Sequence, residues 1–139
     1  MSGEADNLFN QEHVERYRET GGEVGHEWRG ATALILTTTG NKSGEQRSTP
    51  LIYREHDGNH LVVASKGGAD EPPAWFVNLE AEPSAEIQVM ADRFAVRARV
   101  AGPEERAELW PLVTEQWPDY DSYQAKTERE IPVVVLERV

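Results

Sequence analysis

The sequence predicts a mainly β protein: an antiparallel barrel or curved sheet of about six strands with helices at its periphery. Three observations predict it. Short runs rich in β-branched and apolar residues recur at residues 31–38, 49–55, 60–65, 85–90, 94–100 and 131–137. Most are joined by connections too short for a crossover, so sequence neighbours pair as hairpins. The helical candidates between them are short and punctuated by Pro and Gly, which suits elements that cover a sheet.

Taken in order, a helix starts near Asn10, sets Phe9, Val14 and Tyr17 along one side, and stops at Gly21 and Gly22. Its exposed side is not basic, so it reads as a lid or edge helix rather than a membrane-surface element. ATALILTT and TPLIYRE are strands, and Asp57-Gly58 turns the second into HLVVAS. PAWFVNLEAE opens at Pro73, ends before Pro83, and is a short helix with Trp75, Phe76 and Leu79 inward. Ala85, Ile87 and Val89 alternate with Glu86, Gln88 and Met90, and Phe94, Val96, Ala98 and Val100 alternate with Ala95, Arg97 and Arg99. That period of two gives an antiparallel pair with one wet face. Gly102-Pro103 opens a helix in which Pro111 must introduce a kink or start a second turn, with Trp110, Val113 and Trp117 toward the core. A further helix over 119–128 precedes the last strand.

A length of 139 residues fits a single domain over 1–139, with residues 1–9 expected to be flexible. The net charge of −11 opposes attraction to nucleic acid and to anionic lipid. The chain contains no Cys, which removes thiolate nucleophiles, disulfides and cysteine metal sites. No run approaches the ~18 apolar residues of a membrane span and the N-terminus lacks a secretory pattern, so a cytoplasmic protein without stable membrane insertion is expected.

Against this acidic background, residues 31–68 carry Lys42, Arg47, Arg54 and Lys66 with only Glu45, Glu55 and Asp57 in opposition, a local balance of +1. In TTTGNKSGEQRSTPL, Gly40 and Gly44 permit tight turns, Lys42 supplies a point charge, Arg47 a bidentate fork and Ser43 a hydroxyl. Such a loop can hold a phosphate or remain an ordinary polar hairpin connection. It lacks the spacing of a nucleoside-triphosphate loop or a dinucleotide fingerprint. In VVASKGGADEPPAW, the Gly67-Gly68 pair after a strand allows a flat ligand close to backbone, with Ser65, Lys66 and Trp75 around it, although Trp75 also suits plain core packing. Trp117, Tyr120 and Tyr123 recur every three residues, so a turn of helix gathers them on one side, as a pocket wall or as core-edge aromatics. His13, His26, His56 and His60 lack ligand-like grouping and read as lone surface residues, so no metal site is expected.

These three stretches, in this order across residues 8–138, resemble the deazaflavin-dependent nitroreductase family, whose members bind coenzyme F420, an 8-hydroxy-5-deazaflavin. The resemblance implies a split β-barrel related to flavin mononucleotide-binding oxidases. It also implies hydride transfer from reduced F420 to an electron-poor acceptor such as a quinone, enone or nitroaromatic. Lys42, Ser43 and Arg47 would take the coenzyme's phosphate, with Thr49 and Pro50 beside it. Ser65, Lys66, Gly67, Trp75 and Asn78 would shape the deazaflavin pocket, and Trp117, Tyr120 and Tyr123 the substrate side, with Ser65, Tyr120 and Tyr123 steadying developing charge. Many relatives have Arg where this chain has Asn41, and Trp117 stands where a nitroreducing relative has Tyr, which implies one cationic contact fewer and a narrower substrate range. Two alternatives keep the fold: flavin mononucleotide in place of F420, and a non-catalytic coenzyme carrier. Monomer and homodimer are both compatible with the sequence.

Overall fold

The computed structural model describes residue 8 and residues 10–139. The expectations for Phe9 and for a flexible start lie outside the described residues, apart from Leu8, which is buried and accepts a hydrogen bond from Trp28 Nε1 at 3.1 Å. The elements are α1 (Asn10–Thr20), β1 (Glu27–Trp28), β2 (Ala31–Thr39), β3 (Gln46–Ile52), β4 (Arg54–His56) and β5 (Asn59–Val63). A 3-10 turn (Lys66–Gly68), α2 (Ala74–Ala81), β6 (Ser84–Val89) and β7 (Asp92–Val100) follow, then α3 (Pro103–Gln116), α4 (Asp119–Ala125) and β8 (Val133–Arg138).

Every pairing is antiparallel, in the order β1-β2-β6-β7-β8-β5-β4, with β3 on the other side of β2. Only Tyr53 separates β3 from β4, so residues 46–56 form one bent strand whose first half pairs with β2 and whose second half pairs with β5. The bend curls the sheet into a barrel of six staves, which is the predicted architecture. It also corrects the expectation of one continuous strand over 49–55. The two-residue β1 was not anticipated; it is turned onto β2 through Arg29 and Gly30, both at positive φ. The Asp57-Gly58 hairpin turn is present, with φ of 52° and 80°.

Three apolar clusters explain why β2, β5 and β8 are apolar at consecutive positions rather than alternately. Inside the barrel, Leu34, Leu36, Val62, Ile87, Val96 and Leu136 meet Trp75, Phe76 and Leu79 of α2. On the outer face of β5 and β8, Leu61, Val63, Val133 and Val135 lie under Leu109 and Val113 of α3 and Tyr120 of α4. On the outer face of β2, Ile35 lies under Val14 and Tyr17 of α1. Each fully buried Leu, Ile or Val contributes about 1.5–3 kcal/mol over its exposed state.

Four local expectations are revised. Helix α3 runs through Pro111 as one element; the hydrogen bond lost to the carbonyl of Ala107 is on an exposed side, where the carbonyl is open to solvent. Its Trp110 and the following Trp117 are only half-buried. Gln88, expected on the wet face, is 4% exposed: it is paired with Ile35 on the face of the sheet where Val14 and Tyr17 of α1 pack. Val100, expected inward, is 51% exposed at the end of β7.

Candidate active site

The β2–β3 connection folds on itself. Gly40 N–H donates to the Glu45 carbonyl at 2.7 Å, Gly44 N–H to the Gly40 carbonyl at 2.9 Å, and Glu45 N–H to Ser43 Oγ at 3.1 Å. A side chain at Gly40 would put its Cβ 2.8 Å from Ser43 Oγ, so it would displace the hydroxyl that holds Glu45 N–H, and Gly44 suits a φ of +73° that other residues disfavour. Helix α2 fixes this loop from the side: Asn41 N–H donates to Asn78 Oδ1 at 3.0 Å, and Asn78 Nδ2 donates to Thr38 Oγ1 at 3.1 Å. Asn78 is 6% exposed and has both ends of its amide used.

Between the loop and α2 lies a cleft of about 480 Å³ lined by Thr38, the loop, Arg47, Thr49, Ala74, Trp75 and Asn78. Lys42, Ser43, Arg47, Thr49, Trp75 and Asn78 thus line one cleft. Pro50 is not among them; it lines a separate cavity of about 100 Å³ with His13, Trp28 and Ile52. Lys42 makes no ion pair among the described residues, and Arg47 meets Glu45 at 3.4 Å with both side chains largely exposed. The cleft therefore presents two cations with little to hold them elsewhere, and the Ser43 O–H is left free to donate.

Residues 65–68 form the second part. Lys66, Gly67 and Gly68 take φ of 47°, 65° and 89°, a left-handed turn closed by Gly68 N–H donating to the Ser65 carbonyl at 2.9 Å. Lys66 is unusual there, since a side chain disfavours that region. Ser65 is buried, whereas Lys66 and Gly67 are exposed. Strand β3, which leaves the β2–β3 connection, touches β5, which enters this turn. None of Ser65, Lys66 and Gly67 lines the cleft itself. Gly68 packs against α4: a Cβ there would be 2.7 Å from the Tyr123 carbonyl oxygen. Sequence reasoning missed Arg129, whose Nε donates to the Ala69 carbonyl at 2.8 Å and whose Nη2 donates to the carbonyls of Ser65 at 3.0 Å and Ala64 at 3.2 Å.

The aromatic group is assembled by α4, but its members differ. Tyr120 is 6% exposed among Trp110 and the core beneath α3, and burial pushes its phenol well above the ordinary value. Tyr123 packs edge-on against it at 6.1 Å, is half-buried, and accepts a hydrogen bond from Trp117 Nε1 at 3.3 Å. Trp117 also stacks on Trp28, ring centroids 6.2 Å apart, so Trp28 extends this wall although no motif announced it. The histidines need correction. His13 and His60 are buried at 2% and 9% exposure, not on the surface; among the described residues no group of three His, Cys, Asp or Glu could hold a metal.

The family model for F420H(2)-dependent quinone reductases matches residues 9–138. The chain belongs to that family. An F420H(2)-dependent quinone reductase of Mycobacterium tuberculosis (strain ATCC 25618 / H37Rv) is 44% identical over 130 residues, covering 91% of this chain and 87% of its own. Of the solved structures, an F420-H2 dependent reductase (FDR-A) is 40% identical with a TM-score of 0.71, covering 76% of this chain and 93% of its own. A chain described as a domain-swapped dimer is 38% identical with a TM-score of 0.74, covering 89% and 90%. The six-stave barrel is thus the fold of this quinone reductase family, and the resemblance read from the three motifs holds at the level of F420-dependent reductases.

Proposed function

We propose that this chain is a reductase that takes reduced coenzyme F420 as hydride donor and a quinone, enone or nitroaromatic as acceptor. One observation carries the reading: a single cleft joins Lys42, Ser43 and Arg47 to Trp75 and Asn78. A site that offers two cations, a free hydroxyl and a glycine pressed to its own loop fits a phosphate linked to an aromatic ring system. When bound, the coenzyme supplies the hydride; the protein's part is to hold and orient.

In this reading Lys42 and Arg47 neutralise the phosphate, Ser43 donates to it, and Thr49 flanks it. Trp75 walls the ring, and Asn78 keeps the loop at the distance the coenzyme needs. The turn of Ser65, Lys66 and Gly67 presents backbone N–H groups to the ring's polar edge. Tyr123, half-buried beside Trp117, is the better placed of the two phenols to donate to an acceptor oxygen, because Tyr120 is enclosed. Trp117 and Trp28 form the acceptor-side wall.

The test is a titration with F420 followed by an acceptor screen. Tight F420 binding and oxidation of the reduced form by at least one acceptor class support the reading. Binding of flavin mononucleotide with none of F420 transfers the site to the flavin, and F420 binding with no acceptor reduced makes the protein a carrier. No described helix is long and apolar enough to cross a membrane. A cytoplasmic location and a small-molecule partner without nucleic acid complete the proposal. The domain-swapped dimer formed by one relative makes homodimer against monomer the association to resolve by sedimentation.

A further inference from the structure

Arg129 stands in the 126–132 segment after α4 and is anchored there on both sides. Gln124 Nε2 donates to the Arg129 carbonyl at 2.8 Å, Gln124 Oε1 accepts from Ile131 N–H at 2.8 Å, and Thr127 Oγ1 accepts from Arg129 N–H at 3.3 Å. From this base its guanidinium makes three bonds to the carbonyls of Ala64, Ser65 and Ala69, bracketing the left-handed turn at both ends. It makes no ion pair among the described residues, so its charge is directed at backbone alone.

A trans peptide places C=O and N–H on opposite sides. With the carbonyls of Ala64 and Ser65 turned to Arg129, the N–H groups of Ser65 and Lys66 point away from it. Neither has an acceptor among the described residues. A carbonyl that accepts from a cation also polarises its own peptide unit, which strengthens the N–H on the far side as a donor.

We propose that Arg129 is a positioning residue for the coenzyme: it holds the turn so that the Ser65 and Lys66 N–H groups converge as a donor pair for an oxygen of the bound ring. This rests on the F420 reading, and the experiment separates the two. Arg129→Gln and Arg129→Lys are compared with the unaltered protein in three measurements: amide hydrogen exchange without ligand, F420 affinity by titration, and KM and kcat for an acceptor the unaltered protein reduces.

Arg129→Gln should speed exchange at Gly68 and Ala69, whose N–H groups close the turn onto the Ser65 and Lys66 carbonyls, while leaving β2, β6 and β7 protected, and should weaken F420 about tenfold, the scale of one hydrogen bond to a charged group. Acceptor KM should change by less than about twofold, because the lost contacts lie behind the coenzyme. Arg129→Lys should recover part of the affinity, since it keeps the charge but loses the fork that reaches three carbonyls. Unchanged F420 affinity in Arg129→Gln overturns the proposal, as does loss of protection across the whole barrel, which would make Arg129 a stability residue. If the unaltered protein binds no F420, the functional reading fails; exchange at Gly68 and Ala69 that matches the unaltered protein fails Arg129 independently.

Discussion

Asn41 and Asn78 are tied by a 3.0 Å hydrogen bond from backbone N–H to side-chain Oδ1, so a buried residue of α2 sets the position of the loop that carries Lys42 and Arg47. The same amide reaches Thr38 on β2. Asn78→Ala should therefore act twice. Leaving the buried Thr38 hydroxyl without its Asn78 partner should lower stability by about 1–3 kcal/mol, and the loop, no longer tied at the exposed Asn41 N–H, should weaken F420 as well. Asn78→Asp keeps an acceptor for Asn41 but adds a negative charge to the cleft, so it should harm coenzyme affinity more than stability. Urea unfolding beside F420 titration checks both; a fully stable, fully binding Asn78→Ala protein contradicts the account.

Arg47 tests the cationic side of the cleft. Arg47→Ala should weaken F420 by about 1.5–3 kcal/mol, the range for a hydrogen bond to a charged group. Stability should move little, since the 3.4 Å contact to Glu45 joins side chains 62% and 70% exposed, and such pairs contribute about 0–1 kcal/mol. Glu45→Gln should tighten F420 slightly by freeing Arg47 and removing repulsion from the phosphate. Titration at two ionic strengths would show the salt dependence shrinking in Arg47→Ala.

The elements most legible in the sequence were those whose signal is local. Leu34, Ile35 and Leu36 in succession announce a strand buried on both faces, and Asp57-Gly58 announces its turn. The bend at Tyr53 carries no Gly or Pro and was invisible, because it is imposed by pairing with two different partners, β2 and β5. Gln88 sits at a polar position in a clean alternation, and its burial comes from pairing with Ile35 on the face that α1 covers. The cleft residues were readable in two stretches, the β2–β3 connection and the helix that opens after Pro73, which the fold brings side by side; the aromatic motif of α4 lies outside the cleft lining. Arg129 was not, since a lone Arg in an acidic stretch looks solvated and its carbonyl partners lie 60 to 65 positions away.

Tyr120 and Tyr123 separate a chemical role from a structural one. Tyr123→Phe should lower turnover about tenfold or more while sparing F420 affinity, if its O–H supports charge or a proton on the acceptor. Tyr120→Phe should leave turnover close to that of the unaltered protein, because its ring is enclosed beneath α3. Steady-state kinetics on both variants decides; equal turnover in Tyr123→Phe removes its hydroxyl from the chemistry.

Gly68 and Gly44 both have positive φ but differ in surroundings. At Gly68 a Cβ would meet the Tyr123 carbonyl oxygen at 2.7 Å and Tyr123 Cα at 3.0 Å, whereas nothing stands within 4 Å at Gly44. Gly68→Ala should cost about 2–4 kcal/mol from conformation and overpacking together, and should push α4 away from the turn. Gly44→Ala should cost about 1–2 kcal/mol from conformation alone. Chemical denaturation of the pair measures the difference, and equal losses would mean α4 yields freely at Tyr123.

His13 gives the fold a pH dependence of definite sign. Its ring is buried between Tyr17 and Trp28, and the Gly25 backbone packs against it; Nε2 lies 2.8 Å from the Gly25 carbonyl, so the neutral ring donates there. Burial holds its pKa below the ordinary 6.5, opposed only in part by that backbone bond, and burial lowers His26 and His60 likewise. The unfolded chain thus binds protons that the folded one refuses. The contribution is fully present above pH 6.5, declines as the pH falls below it, and is gone once the pH has passed through the folded pKa, with a slope of at most about 1.4 kcal/mol per pH unit for each proton. His13→Gln keeps a donor for Gly25 and removes the titration, so its stability should fall less between pH 7.5 and pH 5.5 than that of the unaltered protein. Urea unfolding at the two pH values tests this. Parallel losses in both proteins would assign the acid sensitivity to other groups.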